Sequence, residues 1–155
     1  MQTHTSRLFS LVLVTIGCIG SARAQAGSVT PFGQGCGPGG DPQLVATAAP
    51  HPGNNFVMQL QGVPSAMNSF LLLGARSPNI DLSPIGMTGC RLYASADVVL
   101  TLPANGSNTV TYSLPIPAAT HLIGLHFYVQ GGTFNVEANR AGIITSRGLD
   151  AVIGL

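Results

Sequence analysis

The sequence predicts an all-β fold: a single-domain antiparallel β-sandwich or jelly-roll of about eight strands with one disulfide. Three observations carry that expectation. Apolar residues recur with a period of two in several short runs. Glycine and proline, 20 and 11 of the 155 residues, punctuate the chain between those runs. Charged side chains are only 7% of the chain, against about 25% in ordinary soluble domains, which argues against long solvated helices. A hydrophobic content of 45% sustains a core and argues against disorder.

The N-terminus stands apart from this pattern. Met1 to Arg7 is polar, with Arg7 its only fixed positive charge, and an apolar run from Leu8 to Ile19 follows. As a helix that run would rise roughly 18 Å, well short of the ~30 Å hydrocarbon core of a bilayer. Ala22-Arg23-Ala24 and Ala24-Gln25-Ala26 then fit the small-x-small rule for signal peptidase. Residues 1–24 are therefore expected to be a signal peptide cleaved after Ala24 or Ala26, which sends the chain to the cell envelope or the medium. Two alternatives are weaker. An uncleaved anchor is disfavoured by the short run, and lipidation at Cys18 by Thr15, which stands where such sites favour Leu.

Residues 25–42 read as a flexible, Gly-rich N-terminal arm, and residues 43–155 as the sandwich. The first strand expected there spans Leu44 to Ala48. Phe56, Met58 and Leu60 then alternate with polar neighbours, and Phe70 to Leu73 is a continuous apolar run suited to a strand covered on both sides. Val98, Leu100 and Leu102 share a face. Val110, Tyr112 and Leu114 against Thr109, Thr111 and Ser113 form the cleanest half-buried strand. Ile123, Leu125, Phe127 and Val129 oppose Gly124, His126, Tyr128 and Gln130, and Gly142 to Ser146 and Leu149 to Ile153 complete the set. Turn signals separate them: Pro50 to Asn54, Ser77-Pro78-Asn79, Ser83-Pro84, Pro115-Ile116-Pro117 and Gly131-Gly132. Asn105-Gly106, between two alternating runs, reads as a hairpin turn.

With Cys18 in the signal segment, Cys36 and Cys90 remain as a pair, expected to bond to each other in an oxidising compartment; two free thiols are the alternative. Loss of Arg7 and Arg23 with the signal leaves four arginines, no lysine and five carboxylates, a net charge of −1. That balance gives no electrostatic footprint for nucleic acid or anionic lipid.

The motifs that suggest chemistry fail on context. Gly35-Cys36-Gly37-Pro38-Gly39-Gly40 holds a G-x-G-x-x-G, but no buried strand precedes it and Asp41-Pro42 follows instead of a helix. His51 lies between two prolines, while His121 and His126, five apart in a strand-like segment, point to opposite faces, which disfavours a metal site. Asp41, Asp81, Asp97, Glu137 and Asp150 are too scattered for an evident calcium loop or glycosidase pair. Asp81 and Asp97 are expected to tie backbone amides in turns. Asn105-Gly106-Ser107 is a turn before it is a glycosylation sequon. No G-x-S-x-G, H-E-x-x-H or S-x-x-K occurs. No catalytic residue, metal ligand or cofactor is expected.

One resemblance extends over nearly all of the chain after the signal. Phe32-Gly33-x-Gly35-Cys36, Leu71-Leu72-Leu73-Gly74, Asp81-Leu82, Gly89-Cys90-x-Leu92, Pro115-Ile116-Pro117, Leu122-x-Gly124-x-x-Phe127-Tyr128-x-Gln130, Ala138-Asn139, Ser146-x-Gly148-Leu149 and Ile153-Gly154 occur in that order. This series resembles an uncharacterised secreted module of planctomycete-type bacteria, found alone or at the C-terminus of larger exported proteins. Glu137, Arg140 and Arg147 depart from its pattern, which affects loop detail. The resemblance implies a β-rich extracellular domain linked by Cys36–Cys90, and it implies no activity and no site residues.

The reading that fits these features is an exported, non-catalytic module for binding or surface assembly, with a glycan or an envelope protein as partner. The alternatives are a secreted hydrolase whose site is assembled from distant strands, and a structural spacer.

Overall fold

A computed structural model describes residues 25–38, 40–64, 67–103 and 105–155; the expected signal segment, with Cys18, lies outside the described residues. The fold is an antiparallel β-sandwich. Its ten strands are β1 (Ser28–Phe32), β2 (Gln43–Ala46), β3 (Asn55–Gln61), β4 (Ser69–Gly74), β5 (Ile80–Asp81), β6 (Arg91–Leu92), β7 (Val98–Leu102), β8 (Thr109–Pro115), β9 (His126–Phe134) and β10 (Ile143–Val152). Two 3-10 turns, Ser83–Ile85 and Thr120–Leu122, complete the elements. One sheet has five strands in the order β1-β10-β9-β4-β7 and the facing sheet has three, β2-β3-β8.

The alternation expected of half-buried strands sets the core. Phe56, Met58 and Leu60 of β3 and Val110 and Tyr112 of β8 turn inward, with Leu44 of β2 beside them. They meet Leu71 and Leu73 of β4, Val129 of β9 and Leu149 and Ala151 of β10 from the larger sheet. At about 25 cal/mol per Å² of buried apolar surface, this interface is the main source of stability.

Four expectations are corrected. The hairpin at Asn105-Gly106 does not form, because β7 pairs with β4 and β8 pairs with β3, so that turn carries the chain from one sheet to the other. Gly131-Gly132 is not a turn but lies within β9, where Leu60 packs against Gly131 on the inner face and Phe70 against Gly132 on the outer. A Cβ at Gly131 would stand 2.6 Å from the Leu60 methyl, too close for any other residue without repacking. The two strands expected over 142–153 are one, β10, interrupted by a bulge between Thr145 and Gly148. Ile144 pairs with Thr133 and Leu149 with Val129, so both share the inner face although five residues apart.

The fourth correction concerns the arm. Ser28–Phe32 is strand β1, paired along its full length with β10. Pro31 is tolerated because β1 is an edge strand. Beyond it, the Cys36–Cys90 disulfide forms as expected, with Cα atoms 5.1 Å apart. It centres a second small core with Met87, Leu82, Ala141 and Ile143.

Residues 91–93 cross the outer face of the larger sheet. The outward Gln130 is buried beneath them, and Tyr93 packs edge-to-face on Phe32 at 5.4 Å while its hydroxyl accepts a bond from the Gln34 amide. The Leu155 amide donates to the Gln25 carbonyl at 2.9 Å, and the bare backbone of Gly154 lies against Ala26 and Gly27.

Candidate functional site

The end of β4, the start of β7, the end of β8 and the entry to β9 come together around an opening. The opening is a groove of about 390 Å³. Leu73 and Val98 come from the larger sheet, Leu114 and Ile116 from the end of β8, Leu122 from the second 3-10 turn, and Leu125 and Phe127 from the entry to β9. Val98 and Leu125 are 51% and 50% exposed, an unusual state for large apolar residues that line one concavity.

Two polar groups mark its rim. Asp97 lies where the chain enters β7, and its Oδ2 accepts bonds from the Ala75 amide (2.8 Å) and the Ser95 hydroxyl (3.0 Å). Those bonds, the backbone one first, hold its carboxyl below the usual aspartate value. His126, the first residue of β9, has Nδ1 3.2 Å from Oδ1 of Asp150, which lies diagonally across on β10, where it pairs with Tyr128. Among the described residues no hydroxyl or thiol is hydrogen-bonded to His126.

Beside the groove, β7 is an edge strand with no proline and no charge along its length. Val98 and Val99, at 51% and 52% exposure, project to its two faces. An edge of this kind, left without charge or bulge, is a template for another strand.

The other residues weighed from sequence occupy ordinary positions. His51 Nδ1 bonds the Gly154 carbonyl at 2.9 Å. His121 lies in the 3-10 turn and not in a strand, so the opposite-faces argument does not apply to it. Asp81 accepts from the amide and hydroxyl of Ser83, which hold its carboxyl low, as a turn carboxylate should. Asn105 caps the amide of Ser107 in the same way. Among the described residues no three His, Cys, Asp or Glu side chains converge as a metal site would require, and no helix is long and apolar enough to cross a membrane.

Sequence reasoning missed the groove because its lining comes from six segments, none with a local signal. The only hint was the pair of adjacent valines at the start of β7. No protein-family model matches the chain, and no curated protein matches it significantly.

Proposed function

We propose that the protein is an exported, non-catalytic binding module that captures an extended apolar segment of another envelope protein along β7 and the adjoining groove. The observation that carries this reading is the continuity of the uncharged β7 edge with the apolar groove at Val98. The edge supplies main-chain hydrogen bonds and the groove takes alternate side chains, the division of labour in strand-addition complexes. A glycan fits the groove less well, since few polar groups line it to satisfy sugar hydroxyls.

Export is supported by the apolar N-terminal run, the disulfide and the resemblance to the secreted planctomycete-type module. Of the two cleavage positions, the one after Ala24 preserves the Gln25–Leu155 bond, whereas cleavage after Ala26 would remove it.

Selection of a displayed library of short linear peptides on the folded protein tests the proposal. Extended apolar sequences should be enriched, and Val98→Lys should weaken their binding about tenfold or more by placing a charge in the groove mouth. Enrichment that Val98→Lys leaves intact would refute the site. Turnover of an ester panel by the wild type but not by His126→Ala would make the protein a hydrolase instead.

A further inference from the structure

We infer that Arg147 marks a second binding site, a cleft between β1 and β2 that takes a small amphiphile carrying one carboxylate on a short apolar chain. The cleft lies away from the groove, on the flank where β1 and β2 are the outer strands of their sheets. Its volume is about 350 Å³, at the small end of the roughly 300–1,000 Å³ typical of ligand pockets. Val29, Pro31, Leu44, Ala46 and Leu149 give it apolar walls, and Arg147 is the one charged residue in its lining.

The β10 bulge puts that arginine there. Before the bulge, odd-numbered residues face out: Ile143 packs in the disulfide cluster and Thr145 bridges Cys36. In unbroken alternation Arg147 would share that outer face. The extra residue shifts the phase, and Arg147 lines the same cleft as the inward Leu149.

The guanidinium lacks a counterpart. Its Nε is buried with no hydrogen-bond acceptor among the described residues. The one His–carboxylate contact among those residues joins His126 and Asp150, and no described carboxylate lies within salt-bridge distance of Arg147. A buried donor without a partner is costly and uncommon in folded proteins. A ligand carboxylate in the cleft would answer the unpaired charge through the outer pair of Nη–H donors at the end of the planar guanidinium, since Nε itself is closed to solvent. One guanidinium matches a monoanion, and the apolar walls match an alkyl chain.

Binding of octanoate, octanol and octylammonium to the full exported protein, followed by calorimetry and by methyl NMR, tests the inference. The wild type should bind octanoate at least about tenfold more tightly than octanol and should not retain octylammonium, with shifts at Leu44 and Leu149. Arg147→Met should lose that preference while its Tm without ligand rises, because the orphaned donor is gone. Arg147→Lys, which keeps a charge but not the fork, guards against a folding failure and should lose most of the preference. Equal affinity for octanoate and octanol, no binding of either, shifts confined to Leu73 and Leu125 in the groove, or a preference that survives both variants would each overturn the site.

Discussion

Gln130 shows how much one side chain can hold together. Its Oε1 accepts from the Tyr93 amide at 2.8 Å, and its Nε2 donates to the carbonyls of Arg91 and Ser146, both at 2.9 Å. The amide thus joins β9, the bulge of β10 and the segment that crosses the sheet. Gln130→Leu would keep the volume and strand a buried amide and two carbonyls, each worth about 1–3 kcal/mol. The expected loss is about 3–5 kcal/mol in urea unfolding; a loss under about 1 kcal/mol would mean that water replaces the amide. Tyr112 makes a second prediction at this scale. Its hydroxyl donates to Ser69 at 2.7 Å inside the core, and burial pushes its pKa above 10.0. A folded-state pKa raised above the unfolded one means stability present below pH 10 that is lost as pH rises through the folded value. Unfolding free energy should therefore fall above about pH 10, and Tyr112→Phe should flatten that part of the profile. The alternation of Val110, Tyr112 and Leu114 made Tyr112 legible as a core residue. Gln130 was not legible, because its period-two position points to solvent and only a third layer from distant residues buries it.

Among the elements, those whose side chains alternate in polarity were readable and those shaped by tertiary contacts were not. β3 and β8 follow from Phe56, Met58, Leu60 and the Thr-rich alternation of 109–114. β1 was hidden because Pro31 and the following glycines read as an arm, and its strand character comes from pairing with β10. β5 and β6 are two residues each, too short for any period to show. Gly131-Gly132 misled because glycine marks both turns and close packing, and only the position of Leu60 and Phe70 separates the two. The disulfide was readable from cysteine number alone. It closes 54 residues and ties the end of β1 to the β5–β6 segment. Cys36→Ala/Cys90→Ala should lose about 4 kcal/mol in denaturant unfolding while retaining the far-UV signature of the sandwich. A loss below about 1 kcal/mol would show that β1 and Tyr93 hold that corner unaided.

For the whole molecule, composition indicated a sandwich, but the asymmetry of five strands over three lies beyond any local pattern. The groove lies at the entry to β9, and the disulfide cluster packs on the outer face near the start of β10. The arginine cleft was illegible for a related reason: a bulge changes which face a residue takes without changing the residue. The bond between Gln25 and Leu155 carries a mechanical consequence. Ser28 pairs with Val152 immediately inside it, and the β1–β10 ladder runs antiparallel from there. Tension applied between Gln25 and Leu155 loads that ladder one rung at a time, as a zipper, and not all rungs at once in shear. Pulled through those two residues the sandwich yields at its edge first, whereas a load entering through a strand docked on β7, at the far edge of the same sheet, would bypass that seam.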